Sequence, residues 1–331
     1  MSTPKVLFLG TVFYATEEKA KLAEIADLVD LESRSREEFF QDLKGKYSDV
    51  VGIYRTVSST KTIGLFDEEL ANALPDSVKY ISHHGAGYDQ IDVPFFTARG
   101  IQVSNTPGAV TNATADTHFF LILGALRNYA HGAYQLKQKQ WLKDVEIGHS
   151  PEGKILGIVG MGGIGQALRD RAIPFGFKVI YYNRRRLASE LEKDSEYVDN
   201  IDEIFTQSDV IALNVPLTKD TYHLVNKERL AKTKPGVIIT NSARGPVIDE
   251  EALVEALDSG HVGGVGLDVF EHEPEVHPRL LDNPRTLLLP HMGTYAIETR
   301  KNMENLVLQN LESGLTTGKL LTLVPEQKGK F

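Results

Sequence analysis

Residues 155–168 read Ile155-Leu-Gly-Ile-Val-Gly160-Met-Gly162-Gly-Ile-Gly165-Gln-Ala-Leu168. An apolar, β-branched run leads into G-x-G-x-x-G, and a helix-period segment follows. In that context the three glycines have separate tasks. Gly160 permits a tight turn, Gly162 lets the backbone approach a pyrophosphate, and Gly165 lets the helix close on the strand. The amides of Gly163 and Ile164 then face the phosphates from a helix N-terminus. The stretch predicts a strand–turn–helix unit that binds a dinucleotide.

Working outward, similar apolar runs recur at Lys5–Gly10, Val50–Tyr54, Val78–His83, Lys178–Tyr182, Asp209–Val215, Val237–Thr240 and Gly264–Val269. Helix-period stretches separate many of them, among them Glu17–Leu28, Arg36–Gly45 and Glu250–Ser259. Strands that are continuously apolar are covered on both faces, so the pattern predicts α/β architecture with two doubly wound parallel-sheet domains. One long helix, about 113–138, is expected to cross between the two groups of strands. Its apolar face (Phe119, Ile122, Leu123, Leu126, Tyr129) is read as interdomain or dimer packing. A last helix, about 296–313, is expected to return to the first group.

Composition narrows the partners. The 331 residues hold 36 Lys+Arg against 45 Asp+Glu, a net charge of −9, which disfavours nucleic acid and anionic membranes. There is no cysteine, which removes disulfides, thiolate nucleophiles and sulfur-ligated metals. No apolar run reaches spanning length and no targeting segment is evident, so the expectation is a cytoplasmic protein with no membrane partner.

The strand after the glycine loop ends in Tyr181-Tyr182-Asn183-Arg184-Arg185-Arg186. An NAD reader carries an acid about 20 residues beyond the first glycine, to bind the ribose 2′-hydroxyl. Here the position holds Asn183, followed by arginines. That chemistry favours a 2′-phosphate, with Arg184 or Arg185 as its clamp, and so NADPH over NADH.

Three later segments each follow a strand: Asn241-Ser-Ala-Arg244-Gly, Gly266-Leu-Asp268-Val-Phe-Glu-His-Glu273-Pro and Leu289-Pro-His291-Met-Gly293-Thr. Carbonyl reduction needs a cation for the substrate, a proton donor, and a group that keeps the donor protonated. Arg, His and Glu suit those roles. With these segments, and with His84-Gly-Ala-Gly-Tyr-Asp-Gln-Ile-Asp92, Asn112-Ala-Thr-Ala-Asp-Thr-His118 and Gly124-Ala-Leu-Arg127, the chain resembles the D-isomer-specific 2-hydroxyacid dehydrogenases over essentially its whole length. Within them it is most similar to fungal glyoxylate and hydroxypyruvate reductases.

The resemblance implies a Rossmann-type cofactor domain, residues 106–297, inserted in a flavodoxin-like substrate domain, residues 1–105 plus 298–331, with the active site in the cleft between them. It implies NADPH-dependent reduction of a short 2-oxo acid to the D-2-hydroxy acid. Arg244 is implied to bind and polarise the substrate, His291 to donate the proton, and Glu273 to pair with His291 and favour imidazolium. Val215 and Pro216 are implied to flank the adenine, with Thr221 on the same loop. Ser242 and Ala243 are implied to lie along the nicotinamide ribose, and Asp268 to hold the carboxamide, with Gly293 among the cofactor contacts. The amides of Ala86 and Gly87, with Arg55, are implied to bind the substrate. A homodimer is implied, with Trp141 and Leu142 in a segment that family members use at the subunit interface.

Two positions depart from the family: Asn183 replaces the common acid, and Asp116 stands where many members carry Glu. Adjacent His83 and His84 point to opposite faces of a strand, so no metal site is expected. The acidic stretch 190–203 reads as a solvated face. Two alternatives stay open. Phe13 and Tyr14, after the first strand, read either as core or as aromatic lining for a bulkier substrate, such as phenylpyruvate or benzoylformate. The same fold also serves dinucleotide-sensing corepressors, although the acidic charge and lack of long disordered tails argue against that use.

Overall fold

The structure is a computed structural model and describes residues 3–331. The chain divides into two compact units. One comprises residues 1–110 and 295–331, the other residues 111–294.

The first unit is built on a five-stranded, all-parallel sheet. Its strands are β1 (Lys5–Leu9), β2 (Asp27–Asp30), β3 (Val50–Thr56), β4 (Tyr80–His84) and β5 (Gln102–Ser104), in the order β2-β1-β3-β4-β5. This is flavodoxin-like order. Successive side chains of β1 enter different cores. Leu7 and Leu9 join Ile53, Ile81, Phe39, Phe66 and Phe96 on one face. Val6 and Phe8 join Tyr54, Leu22, Val307 and Leu311 on the other. Burial on both sides explains why β1 reads as unbroken apolar sequence.

The second unit carries seven parallel strands: β6 (Ile155–Val159), β7 (Lys178–Tyr182), β8 (Ser195–Tyr197), β9 (Val210–Leu213), β10 (Val237–Asn241), β11 (Val262–Leu267) and β12 (Thr286–Leu288). Their order is β12-β11-β10-β9-β6-β7-β8, a Rossmann arrangement extended by one strand. The order reverses beside β6, so the glycine loop that follows β6 lies at the switch point where ligands collect in open α/β sheets.

The long helix and the acidic stretch both depart from expectation. The single long helix is two helices, Thr111–Leu126 and Tyr129–Lys137, broken where Asn128 takes a left-handed φ of 52°. The first half belongs to the second unit. Phe119, Ile122 and Leu126 enter its core with Leu156, Ile158 and Leu168. Glycine in β11 permits this close packing: a Cβ at Gly266 would stand 2.8 Å from the Leu121 carbonyl oxygen. The stretch 190–203 is not simply a solvated face, because it contains β8 and the buried Glu192, whose carboxylate accepts from Tyr181 Oη (2.5 Å) and Arg186 Nε (2.8 Å). Among the described residues no helix is long and apolar enough to cross a membrane.

Candidate active site

The glycine loop forms as its sequence requires. Gly160 has φ +97°, and a Cβ there would sit 2.7 Å from the Asn214 carbonyl oxygen. A Cβ on Gly165 would lie 2.3 Å from the Gly160 carbonyl oxygen, so the helix Gly163–Ala172 can approach the strand only without a side chain. Gly162 differs, because a Cβ there would meet nothing within 4 Å. That open cradle lies at a helix N-terminus, where the first-turn amides of Gly163 and Ile164 lack intrahelical acceptors. It fits the phosphates of a dinucleotide.

The corner after β7 supports the loop from behind. Asn183 Oδ1 accepts from the Met161 amide at 2.7 Å. Of the three arginines, Arg186 is committed to Glu192 (2.8 and 2.9 Å) and lies over the Tyr197 ring. Arg184 and Arg185 are exposed, and neither has an ion pair among the described residues. The next loop is closed by its own hydroxyl. Thr221 Oγ1 donates to the Pro216 carbonyl (2.6 Å) and accepts from the Thr218 amide (2.8 Å), while Val215 is half-buried and Pro216 exposed.

Ser242 and Ala243 follow β10. Ser242 Oγ is 2.8 Å from Nδ1 of His118, and the Ala243 amide donates to Asn241 Oδ1 at 2.9 Å. His118 is wholly buried, and that burial pushes its pKa down to about 4, so the ring is neutral. Thr240 Oγ1 lies 2.9 Å from His118 Nε2, and Asn214 Oδ1 lies 3.1 Å from Nδ1, so the ring is held from both sides. A polar residue on an apolar helix was the one signal of this network in the sequence.

His291 and Glu273 come together at the ends of the last strands, with His291 Nδ1 2.8 Å from Glu273 Oε2. Both side chains are partly exposed, 48% and 36%. Glu273 Oε1 accepts from the Phe270 amide at 3.1 Å. Burial pushes the Glu273 carboxyl up. The bond and charge of His291, the Phe270 amide and the charge of Arg244 overcome this and hold it below the usual carboxylate value. The charge of Arg244 thus reaches Glu273, and its Nη1 donates to the Ala243 carbonyl at 2.8 Å.

His291 has φ +55°, a conformation that strains a residue with a Cβ. Asp268 maintains it. Its carbonyl accepts from the His291 amide (2.8 Å), and its carboxylate accepts from Met292 (2.5 Å) and Gly293 (2.7 Å). Burial raises the Asp268 carboxyl, against the lowering effect of those two amides. Both oxygens and Gly293 thus serve the turn that presents His291, a role not evident in the sequence.

The expected substrate residues lie in the first unit. Ala86 and Gly87 are half-exposed in the turn after β4. Arg55 departs from expectation. It is 0% exposed, and its guanidinium is bound to His83 Nδ1 (2.9 Å), Gln90 Oε1 (3.0 Å) and Thr60 Oγ1 (2.8 Å). Enclosure by these groups and by the Phe66 ring leaves no guanidinium surface for direct contact with a substrate.

Comparison with known proteins identifies relatives over nearly the whole chain. Residues 119–293 match the family model "D-isomer specific 2-hydroxyacid dehydrogenase, NAD binding domain". The chain is 49% identical to 4-methyl-2-oxopentanoate reductase A of Aspergillus oryzae over 329 residues, covering 99% of this chain and 100% of the relative. A crystal structure of a glyoxylate reductase from Paecilomyes thermophila superposes with a TM-score of 0.96 at 50% identity, covering 99% and 100% of the two chains. An NADPH-dependent glyoxylate/hydroxypyruvate reductase from Sinorhizobium meliloti, solved with NADP and malonate, superposes with a TM-score of 0.86 at 32% identity and 98% coverage of each chain. The chain belongs to the D-isomer-specific 2-hydroxyacid dehydrogenases, a family of NAD(P)-dependent oxidoreductases.

Proposed function

We propose that this enzyme uses NADPH to reduce a short 2-oxo acid, glyoxylate or hydroxypyruvate, to the 2-hydroxy acid, with D stereochemistry where the product is chiral. The observation that carries the reading is the 2.8 Å pair of His291 and Glu273. The bound nicotinamide supplies the hydride to C2 of the substrate. The protein supplies the proton. An ionised Glu273 accepts from Nδ1–H of His291, so the proton for the developing alkoxide resides on Nε2 of the imidazolium. Its transfer leaves neutral His291, which recovers a proton from solvent. Arg244 binds the substrate and polarises its carbonyl, and the amides of Ala86 and Gly87 hold the carboxylate.

The preference for NADPH rests on Asn183 and on the exposed Arg184 and Arg185, neither of them in an ion pair among the described residues. Gly160 and Gly162–Gly165 hold the pyrophosphate, Val215 and Pro216 flank the adenine, and Ser242 and Ala243 border the nicotinamide ribose. Asp268, Gly293 and Thr221 act by holding the loops that carry these contacts. The name of the Aspergillus oryzae relative supports a second reading, in which the substrate is a branched 2-oxo acid. Exposed Phe13 (71%) and Tyr14 (41%) in the first unit are apolar surface that a larger side chain would use. Homodimer formation is part of the proposal. Tyr134, Leu136, Trp141, Leu142 and Ile147 form an exposed apolar series, and isolated monomers seldom carry such surface uncovered.

Steady-state kinetics with both cofactors across glyoxylate, hydroxypyruvate, 4-methyl-2-oxopentanoate and phenylpyruvate test the assignment. The expected result is the highest kcat/KM for a short acid with NADPH. A preference for NADH, or for the aromatic acid, would refute it.

A further inference from the structure

The turn after β4 is held in an unusual way. Its carbonyls are captured by the segment after β5 and by a side chain of β4 itself. The Thr106 amide takes the Gly85 carbonyl (3.0 Å), Asn105 Nδ2 takes that of Ala86 (2.7 Å), and His83 Nε2 takes that of Gly87 (3.0 Å). In a trans peptide the C=O of one residue and the N–H of the next point in opposite directions. Capture of the three carbonyls therefore turns the N–H groups of Ala86, Gly87 and Tyr88 the other way. None of these three amides has an acceptor among the described residues.

The third capture depends on a proton's position. A guanidinium only donates, so Nδ1 of His83, 2.9 Å from Arg55 Nη1, is a lone-pair acceptor. The ring proton is then on Nε2, which donates to Gly87. Arg55 is itself fixed by Gln90 and Thr60, lies over the Phe66 ring, and feels the charge of Asp89. His83 is as fully buried as Arg55. Burial lowers the Arg55 pKa to about 10, which still leaves a cation at neutral pH.

We propose that Arg55 and His83 are positioning residues for the substrate carboxylate: Arg55 fixes the Nε2–H tautomer of His83, and His83 holds the Gly87 carbonyl so that the amides of Ala86, Gly87 and Tyr88 remain presented to the anion. This rests on the reading of Ala86 and Gly87 as the carboxylate site. It assigns Arg55 a role through His83 and not through contact with substrate.

The test is kinetic, with oxamate as the probe anion bound to the NADPH-loaded enzyme. Replacing His83→Leu is expected to raise the glyoxylate KM and the oxamate Kd about tenfold, the worth of one hydrogen bond to a positioned group. The NADPH Kd should stay within about twofold and kcat should change little. His83→Gln, whose amide can accept from Arg55 and donate to Gly87, should recover most of the loss. Arg55→Lys keeps the charge but not the fork, and should behave like His83→Leu. Gly85→Ala gives an independent route, because its Cβ would stand 2.6 Å from His83 Nε2 and displace the ring without removing it. Should His83→Leu fail to fold, Gly85→Ala decides the question. Ala86→Pro deletes one of the amides and tests the underlying site. If Ala86→Pro weakens oxamate while both His83→Leu and Gly85→Ala leave it within twofold, the positioning role is overturned. If Ala86→Pro also has no effect, the carboxylate site itself lies elsewhere and the reading it rests on falls.

Discussion

The turns after β6 and β4 both leave peptide N–H groups unpaired at the end of a parallel strand, and they do so by different means. After β6 the helix itself does the work. Gly163–Ala172 begins there, its first amides have no partners by construction, and three glycines clear the approach. After β4 no helix follows at once, and the same outcome needs three carbonyls caught by Thr106, Asn105 and His83. A helix N-terminus is a local device, written in consecutive residues. A carbonyl clamp is a tertiary one, and its parts are scattered between residues 55 and 106. The first suits a pyrophosphate that many sequences must bind. The second can be tuned one hydrogen bond at a time.

The largest effect should arise at neither turn. Replacing His291→Ala removes the proton donor and is expected to lower kcat about 10³-fold, within the usual range for a general acid, while NADPH binding by fluorescence titration stays unchanged. A loss of NADPH affinity in parallel would mean that the His291 turn supports cofactor binding and not the chemistry. Next, Gly162→Ala and Gly85→Ala should separate the two turns. The first adds a methyl to open space, so the fold should hold, yet the NADPH Kd should rise about 100-fold because the methyl competes with the phosphate. The second should raise the glyoxylate KM and leave NADPH alone. Crossed outcomes would break the division of anions between the turns. The smallest effect should come from the rim of the cofactor site. Arg184→Ser or Arg185→Ser is expected to cut the kcat/KM ratio of NADPH over NADH about tenfold, one charge-assisted hydrogen bond, without altering kcat with NADH. An unchanged ratio for both would remove these arginines from 2′-phosphate recognition.

The same local-against-tertiary division decides what the sequence reveals. Eight central strands announce themselves as apolar runs because both of their faces are buried. The four that do not, β2 (Asp27–Asp30), β5 (Gln102–Ser104), β8 (Ser195–Tyr197) and β12 (Thr286–Leu288), are the four sheet edges. They are three or four residues long, and most are polar or only half-buried, so no run of buried side chains marks them. The helix break at Asn128 is likewise hidden, since the apolar period continues on either side of it. In the site, the glycine loop is legible because turn, approach and packing all fall within six residues. His291 and Glu273 are legible through their segments. The grip of Asp268 on the His291 turn, the His118–Ser242 contact and the burial of Arg55 are not, because each pairs residues 24 or more apart.

The pH dependence of kcat/KM for NADPH-driven glyoxylate reduction tests the central claim most directly. Glu273 is held below its ordinary carboxyl value, so its pairing with His291 persists as pH falls to that value and is lost only below it. The acid side of the profile from pH 5 should therefore be level. A donated proton makes the rate fall with rising pH, and the fall should vanish in His291→Ala. A profile that stays flat to pH 9 with chemistry rate-limiting, or one that rises with pH, would contradict a proton donated by His291.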